Sequence, residues 1–558
     1  MSWKLRLHNK TIALYLVVPC SLLLAVVKPL ISSANEESRQ RNKYYSHSLP
    51  LGKGNLRESR VSNQIAPGIT HTVIVRGERS NRDVYTVDVT FQATQQAAQV
   101  TANLLKSQGY QPYLKPILRR APDDPESGLL GYLVRVGAFN TEALAVNLRD
   151  QLVTAGYSGV RVVNTAEDGE ETTGPWVVNV LEIDLHQSHL KVVPALASGI
   201  VPGNERLTQL STKTSALAAV NGGYFVIGAN DGTPGDLAGI SIIDGKLVSE
   251  AVNGRTSLIL PDSSSRDARI AALTSKILAI ANNRATREID GLNRKPGLIR
   301  GCGGVGGDLP TEQPKHDFTC TDSNELIQFT SAFGQTTETG EGAEAVLDAS
   351  GQVIEFRQQR GGQIPSSGSV LSGTGNAVEW LRNYAQLGSK IDIKTHVLAN
   401  GWDVRRRDET LGVINGGPRL LRNGKIDITA YKEGFHWPEN PEFYYRFGVR
   451  RNPRTLAGIT SLGKLLLVTI DGRLPTRSVG ASFEESALIM RTLGAIDALN
   501  LDGGGSTTMT INQQLINHPS DSTGERPIAD AIIILGKLPH PQGDGVLRTI
   551  NKIDNPRH

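Results

Sequence analysis

The stretch AIDALNLDGGGSTTM, from Ala495 to Met509, decides how the rest of the chain is interpreted. It begins with apolar positions that suit a buried strand, and it then breaks into Asp502, three glycines and three hydroxyl residues. Consecutive glycines cost chain entropy and are typical of backbone that adopts positive φ or approaches a ligand closely. A carboxylate at a strand end, beside bare N–H groups and hydroxyls, suits a polar, anionic substrate. The alternative is a tight turn that Asp502 only caps.

Six further blocks accompany this stretch, and together they resemble the phosphodiester glycosidase family in content and order. The blocks are AAVNGGYF (Ala218–Phe225), IPSSGSVLSGTG (Ile364–Gly375), GVINGGPRLLRNGK (Gly412–Lys425), NPRTLAGIT (Asn452–Thr460), LLLVTIDGR (Leu465–Arg473) and SVGASFEESALIM (Ser478–Met490). The resemblance covers roughly residues 175–537. It implies a large mixed α/β domain, which we place at 174–540, and a hydrolase that cleaves the anomeric carbon–phosphodiester bond of a sugar-1-phosphodiester.

Four residues of the matched blocks are expected to carry the chemistry. The phosphate that leaves from a sugar-1-phosphodiester is weakly basic. The reaction therefore needs a carboxylate at the anomeric carbon and cationic support for the phosphate. We assign Asp502 and Asp471 as the carboxylates, and Arg454 and Arg473 as the phosphate-binding cations, because a guanidinium engages two oxygens. The alternatives are that Asp471 and Arg473 form a structural turn pair and that Arg454 neutralises Asp502. The sequence does not decide between a retaining and an inverting outcome.

A second group of residues is expected to hold the substrate. Backbone N–H groups and hydroxyls complete an anion cradle, and asparagines orient sugar hydroxyls. The group consists of Asn221, Tyr224, Asn415, Gly416, Asn500, Gly503, Gly504, Gly505, Ser506 and Thr507. Asn500 alternatively faces the core, and Tyr224 points into the fold or over a sugar. Glu485 matches a family glutamate, but Ser482-x-x-Glu485 is also a capping box, and we assign Glu485 to the helix N-terminus.

No cofactor is expected to be required. No His, Cys or carboxylate cluster has a defined metal spacing, although an Asp-rich site can take Ca²⁺ or Mg²⁺. Two rival functions remain open. One is a non-catalytic envelope protein that binds peptidoglycan or another polysaccharide. The other is a serine hydrolase. Two facts argue against it: Ser506 does not lie in a G-x-S-x-G elbow, and no His can be assigned to it.

The N-terminus has the layout of an export signal. Three basic residues precede an apolar run from Ile12 to Val27, and Ser32 and Ala34 suit cleavage after Ala34. This predicts a signal peptide at 1–34 and a periplasmic, cell-envelope or extracellular protein. Contact with a membrane is expected only if the segment stays uncleaved as an anchor. Residues 35–70 are predicted to be a flexible linker, and 541–558 a tail. A net charge of +4 over 558 residues, without a dense basic block, argues against nucleic-acid binding.

The cysteine content suggests one disulfide. Cys20 would leave with the signal segment, and an even pair, Cys302 and Cys320, remains in an exported chain. The alternative is two unrelated buried thiols.

The chain repeats itself between the linker and the large domain. Residues Tyr85–Tyr110 align with Tyr132–Tyr157 at an offset of 47, and each copy reads as a strand followed by a helix. Two such halves predict a ferredoxin-like domain at 71–165, and hence an α+β protein. The second half resembles the SPOR domain, which implies binding to peptidoglycan glycan strands. The alternative is a module that only spaces the large domain, joined to it by an acidic linker at 166–173.

Overall fold

The computed structural model describes residues 47–187, 189–261, 267–302, 314–404 and 410–536. The predicted signal peptide at 1–34 and the predicted tail at 541–558 therefore lie outside the described residues. From Ser48 onward the chain forms one compact unit. It is a sheet-rich α+β structure with few helices, and in the part described no helix has the length and apolar character needed to cross a membrane.

An eight-stranded antiparallel sheet organises the large part of the fold. Its order is β1-β2-β7-β28-β27-β29-β25-β26. The strands are β1 (Glu58–Ala66), β2 (Ile69–Arg76), β7 (Trp176–Ile183), β25 (Arg419–Arg422), β26 (Lys425–Ile426), β27 (Arg454–Thr460), β28 (Leu465–Ile470) and β29 (Ala495–Asn500). The apolar start of the deciding stretch is β29, which confirms the predicted strand. Leu499 near the end of this strand and Leu501 just after it are fully buried in the main core.

Two further sheets pack around the same core. One has the order β31-β30-β9-β32-β8, and the other runs β11-β10-β24-β12-β13-β22-β23 with β14 paired to β13. The first contains β8 (Lys191–Leu196), β9 (Ala218–Asn221), β30 (Met509–Ile511), β31 (Gln514–Leu515) and β32 (Asp530–Leu535). The second contains β10 (Ser241–Ile243), β11 (Lys246–Ser249), β12 (Arg255–Pro261), β13 (Arg269–Ala281), β14 (Thr286–Glu288), β22 (Ile391–Ala399), β23 (Trp402–Asp403) and β24 (Thr410–Asn415).

Smaller sheets complete the large part. A five-stranded sheet has the order β15-β18-β21-β19-β20, and β16 pairs with β17. Their bounds are β15 (Gly291–Leu292), β16 (Leu298–Arg300), β17 (Thr319–Thr321), β18 (Leu326–Phe329), β19 (Ala343–Leu347), β20 (Val353–Arg357) and β21 (Ser369–Gly373). The helices are α1 (Gln95–Ser107), α2 (Glu142–Thr154), α3 (Leu207–Thr214), α4 (Asn376–Tyr384), α5 (Pro441–Tyr444) and α6 (Phe483–Thr492), and a π-helix covers Tyr445–Val449.

The internal repeat folds as β3-α1-β4-β5-α2-β6. The strands β3 (Tyr85–Gln92), β4 (Pro112–Ile117), β5 (Gly131–Phe139) and β6 (Arg161–Asn164) form a sheet of order β4-β5-β3-β6. The helices pack on it through Ala98, Leu105, Ala145 and Leu152. We call residues 85–164 the repeat unit. Its identity as a SPOR domain and its binding to peptidoglycan stay predictions.

The predicted flexible linker at 35–70 is wrong from residue 58 onward. Strands β1 and β2 form a hairpin there, and β2 pairs with β7 of the large sheet. Arg76 fixes the preceding segment, because its guanidinium donates to the carbonyl oxygens of Leu51 and Lys53, both at 2.8 Å. The sequence did not reveal β1 because it is a largely exposed edge strand, and such a strand needs no alternation of apolar residues.

The acidic segment 166–173 is not a free linker either. Glu167 and Asp168 are buried. Asp168 accepts a hydrogen bond from Arg135 of the repeat unit at 2.7 Å, and the Tyr445 hydroxyl, from the large part, lies 3.2 Å from the same guanidinium. Acidic residues that suggested solvation instead form ion pairs that fix the repeat unit to the rest of the fold, so the separateness of the expected small domain is not confirmed.

Candidate active site

A cavity of about 680 Å³ opens between the repeat unit and the large part of the fold. Its volume lies within the roughly 300–1,000 Å³ common for small-molecule sites. The described lining residues include Tyr85, Glu142, Arg161, Val162, Val163, Asn164, Glu167, Tyr224, Phe225, Arg255, Arg300, His316, Asp317, Phe443, Arg446, Phe447, Arg450, Asn452, Arg454, Arg473, Asp502, Gly503, Gly504, Gly505 and Arg526. Among these residues are eight arginines and four acids, so the cavity favours an anion.

Asp502 follows β29 and faces this cavity. Its backbone is fixed from behind, because Asn221 Nδ2 donates to the Asp502 carbonyl oxygen at 2.7 Å. The Gly503 N–H donates to Asp502 Oδ1 at 2.8 Å. Burial raises the pKa of Asp502 to about 6, although the nearby Ser506 hydroxyl and the Arg526 charge act in the opposite direction. The carboxyl therefore changes its charge near neutral pH, which suits general-base or nucleophilic chemistry.

The three glycines are required by close contacts. Gly504 has φ of +60°, and a Cβ atom at Gly505 would lie 2.3 Å from Arg526 Nη2 and 2.4 Å from Asp521 Oδ1. Arg526 is held by Asp521, whose Oδ2 lies 2.7 Å from its Nη2. The glycines therefore allow a cation to lie against the backbone beside Asp502. The positive φ at Gly504 agrees with the prediction made from the sequence.

Arg255, the first residue of β12, is the least satisfied cation of the cavity. It is only 3% exposed, and its Nε and Nη1 atoms have no hydrogen-bond partner in the described structure. Among the described residues, its guanidinium makes one hydrogen bond, which is long, from Nη2 to the Glu433 carbonyl oxygen at 3.4 Å. Burial lowers its pKa to about 10. A buried cation with free donors is costly to the fold, and an anionic ligand would satisfy it.

The two predicted phosphate-binding arginines both reach the cavity. Arg454 is buried and donates to the carbonyl oxygens of Ala481 and Phe447, at 2.9 and 2.5 Å. Arg473 is exposed at the cavity and donates to Asn452 Oδ1 at 3.0 Å. Arg473 retains free donors for a ligand, whereas Arg454 also supports the wall of the cavity.

An aromatic group forms the floor beside Asp502. The His316 ring lies 4.2 Å from the Tyr224 ring and 4.3 Å from the Phe435 ring, measured between centroids. Burial lowers the pKa of His316 well below its usual range, and the charges of Arg255 and Arg300 act in the same direction. His316 is therefore neutral at pH 7. Tyr224 lines the cavity, and its hydroxyl donates to the Gly417 carbonyl oxygen at 2.7 Å. The predicted contact of Tyr224 with a substrate stays a prediction.

Asp471 does not lie in the cavity. Its side chain is fully buried, its Oδ1 accepts from the His518 N–H at 3.0 Å, and its Oδ2 lies 3.3 Å from Arg477 Nε. These contacts connect the end of β28 to the segment after β31. The assignment of Asp471 as the second catalytic carboxylate is therefore not supported, and the contacts fit the structural alternative, with Arg477 rather than Arg473 as the partner.

The predicted asparagines support the cavity from behind. Asn221 Oδ1 accepts from the Thr455 hydroxyl and the Thr508 N–H, so both acceptor positions of its amide oxygen are used within the protein. Asn415 Oδ1 accepts from the Tyr224 N–H at 2.8 Å, and Asn500 Nδ2 donates to the Tyr224 hydroxyl at 2.8 Å. None of the three lines the cavity, so they position Asp502 and Tyr224 instead of contacting a sugar.

Other predicted residues also pack behind the cavity. Gly416 is buried, and a Cβ atom there would lie 2.7 Å from Leu499 Cδ1. Ser506 and Thr507 are buried and absent from the lining, although the Ser506 hydroxyl lies close enough to lower the pKa of Asp502. Glu485 forms the predicted capping box with Ser482, and it also pairs with Arg451 at 2.7 Å.

Sequence reasoning missed Asp530. It begins β32, antiparallel to β9, and its Oδ1 accepts from the Gly223 N–H at 2.8 Å. Burial, together with a smaller contribution from the charge of Asp502, raises the pKa of Asp530 to about 7. The sequence showed only a carboxylate that precedes an apolar strand. In the structure, antiparallel pairing of β32 with β9 brings Asp530 to the turn that follows Asn221. Asp530 is thus a second carboxyl close to Asp502.

We expect Asp530→Asn to stabilise the protein above pH 7. An unfolded Asp ionises near pH 4, whereas Asp530 in the fold ionises near pH 7, so the wild-type protein loses stability as pH rises between these values. The loss amounts to about 1.4 kcal/mol for each unit of the shift. Urea unfolding at pH 4 and pH 8 measures this difference. Equal stabilities of the two proteins at pH 8 would contradict the account.

The predicted disulfide between Cys302 and Cys320 is confirmed, with Cα atoms 6.0 Å apart. Cys320 lies in β17, opposite Ile299 of β16. The disulfide closes the loop whose described end carries His316 and Asp317 to the cavity. It therefore fixes both ends of a segment that contributes to the site.

Replacement of both cysteines by serine should lower the free energy of unfolding. The sequence separation is 18 residues, and closing a loop of that size stabilises a fold by about 3 kcal/mol. Urea denaturation of wild type and of the double variant, both without reductant, measures the loss. An unchanged midpoint would show that the loop is held by its other contacts.

Among the described residues, no group of three or more His, Cys, Asp or Glu could hold a metal ion. An optional Ca²⁺ or Mg²⁺ ion therefore stays a prediction.

Comparisons with known proteins agree on the family. The sequence profile of the phosphodiester glycosidases matches residues 341–535, which include Arg454, Arg473 and Asp502. The N-acetylglucosamine-1-phosphodiester α-N-acetylglucosaminidases of mouse and human are 31% and 30% identical over 173 residues, or 30% of this chain. The chain spans about a third of these relatives, 32% of each.

Two solved structures share the fold. A Burkholderia pseudomallei protein described as exported is 32% identical, with a TM-score of 0.81, and the match covers 88% of this chain and 98% of that one. A hypothetical protein from Synechocystis is 15% identical, with a TM-score of 0.51 over 87% of this chain and 80% of that one, and it supports the fold alone. Taken with the matched profile, these findings show that residues 341–535 form a phosphodiester glycosidase domain within a fold that is shared over most of the chain.

Proposed function

We propose that the protein is an exported hydrolase that breaks the bond between the anomeric carbon and the phosphodiester oxygen of a sugar-1-phosphodiester. One observation carries this proposal: Asp502, with a pKa near 6, faces a cavity rich in arginine. The mouse and human relatives are named for this type of bond, and the arginines suit the phosphate that such a substrate carries.

The reaction consumes one water molecule. The bond between C1 and the oxygen that bridges C1 and phosphorus breaks, and the water oxygen forms the new bond at C1. The phosphate leaves as a monoester of its other alcohol. One water proton stays on the sugar hydroxyl, and the other passes to a base. The phosphate monoester is a stable anion, so it leaves without a strong acid, provided that cations balance its charge.

The residues of the cavity divide these tasks. Asp502 is ionised above about pH 6, and it either accepts the water proton or attacks C1 itself. Arg255 and Arg473 have free donors for the phosphate, and Arg526 lies against Gly505 beside them. Asp317 also lines the cavity and raises the pKa of Asp502, so it is the candidate for a second carboxylate.

The location and the partners are part of the same proposal. The basic and apolar layout of residues 1–34 and the likeness to a protein described as exported support a periplasmic, envelope or extracellular site of action. The substrate is then a glycan or sugar phosphate of an envelope or extracellular glycoconjugate. Peptidoglycan is the partner that the SPOR resemblance suggests. No cofactor is required by this chemistry, and Ca²⁺ or Mg²⁺ would be accessory.

A panel of sugar-1-phosphodiesters, including nucleotide sugars, tests the proposal. We expect release of a free reducing sugar and of a phosphate monoester in equal amounts from at least one member. Absence of turnover on every member, with retained binding to purified peptidoglycan, would instead favour a non-catalytic polysaccharide-binding protein. Chelation by EDTA in parallel assays tests the accessory metal.

A further inference from the structure

We propose that the repeat unit forms the subsite for the alcohol side of the phosphodiester, and that this alcohol is a saccharide. The inference rests on the proposed function, because it concerns the part of the substrate that leaves with the phosphate. It assigns the repeat unit a direct role in substrate selection, in place of a tether or a spacer.

One wall of the cavity belongs to the repeat unit and the segment that follows it. Tyr85, Glu142 and all four residues of β6, Arg161–Asn164, line the cavity, and Glu167 continues that wall. These residues lie outside the range 341–535 that matches the family. Strand β6 is at the edge of its sheet and pairs with β3 among the described strands, so its outer backbone groups are not used by a neighbouring strand.

A continuous path leads from Asp502 to this wall. Arg473 lies over Gly504, where a Cβ atom would be 3.3 Å from its Nη2. The charges of Arg450 and Glu167 both act on the Arg473 guanidinium, so the three groups are neighbours. Glu167 Oε2 accepts from Arg450 Nη2 at 2.7 Å. If the sugar lies at Asp502 and the phosphate at Arg473, the other alcohol of the phosphate extends toward Arg450, Glu167 and β6.

The chemistry of the wall fits a saccharide. It presents a phenol hydroxyl at Tyr85, a carboxylate at Glu142 and a guanidinium at Arg161, which forms no ion pair among the described residues. Asn164 lies beside Tyr85. Within the described part of the chain, Asn164 Nδ2 and Arg450 Nε are buried without a hydrogen-bond partner. Hydroxyl groups of a sugar can serve donors and acceptors alike. A lipid alcohol would need a continuous apolar wall, whereas Val162 and Val163 are interspersed here with polar and charged residues.

Kinetics on three esters of one sugar-1-phosphate test the inference. The esters carry methanol, a disaccharide or a nucleoside joined through its 5′-hydroxyl, so that the third ester releases a nucleotide. We expect the wild-type protein to show the highest kcat/KM for the disaccharide ester. In Tyr85→Phe and Arg161→Gln, the ratio of kcat/KM for the disaccharide ester to that for the methyl ester should fall about tenfold, as expected for a lost hydrogen bond.

Two features make the outcome decisive. Phe retains the ring that packs in the core of the repeat unit, and Arg149→Gln, on the exposed surface of α2, is the matched control whose ratio should equal that of wild type. Equal kcat/KM for all three esters, a preference for the nucleotide, or an unchanged ratio in both variants would overturn the inference alone. Absence of turnover on all three esters would overturn the proposed function as well.

Discussion

Asp502→Asn is expected to lower kcat on a sugar-1-phosphodiester by at least about a thousandfold, because it removes the carboxylate that must act at the anomeric carbon. The amide keeps the size of the side chain and can still accept the Gly503 N–H bond seen at 2.8 Å. Burial raises the pKa of Asp502, so the ionised form destabilises the fold above about pH 6. The variant should therefore be at least as stable as wild type at pH 8.

The pH profile of the wild-type protein gives a second readout of the same residue. We expect kcat/KM to rise with pH through about 6, where Asp502 ionises. Asp497→Asn, in β29 just before Asp502 but outside the cavity, is the matched control and should retain the wild-type rate. A fully active Asp502→Asn enzyme would contradict the assignment of Asp502.

Arg255→Gln should lower kcat/KM by about a hundredfold, because a charge-assisted contact to the phosphate contributes a few kcal/mol in a buried site. Its Nε and Nη1 atoms have no hydrogen-bond partner among the described residues, so a bound anion is a group that they can serve. The effect on stability has the opposite sign. Burial lowers the pKa of Arg255, which means that the fold disfavours its charge, and the variant should keep or raise the melting temperature.

Arg419→Gln is the control for this second prediction. Arg419 is also a buried arginine whose pKa is lowered by burial, but it lies outside the cavity. We expect it to change stability with little effect on kcat/KM. A parallel loss of stability and activity in Arg255→Gln would mean that Arg255 is structural.

The sequence predicted the centre of the site better than its surroundings. Asp502 and Gly503–Gly505 could be located because a strand followed by a carboxylate and three glycines is a local pattern. Arg255, His316 and Asp317 could not be located at the cavity, nor Asp530 beside Asp502, because contacts between segments distant in sequence bring them there. Asp530, for example, comes near Asp502 only because β32 runs antiparallel to β9.

The role of the asparagines shows a second limit of sequence reasoning. Asn221 and Asn415 were expected to contact sugar hydroxyls, and the structure places both behind the cavity, with their amides bonded to backbone groups. The Asn-Gly-Gly pattern indicates a turn that needs a side-chain partner, but it does not indicate which face of the turn the ligand occupies. The contacts between the repeat unit and the large part could not be predicted for a similar reason, because Glu167 and Asp168 lie in an acidic segment whose composition is typical of a linker.

Hydrolysis in water enriched in ¹⁸O tests the central claim most directly. Cleavage at the anomeric carbon places the label on the released sugar, whereas attack at phosphorus places it on the phosphate monoester. We predict that mass spectrometry finds the label on the sugar and unlabelled phosphate. Label on the phosphate would show that the cavity performs phosphodiesterase chemistry and would contradict the role given to Asp502.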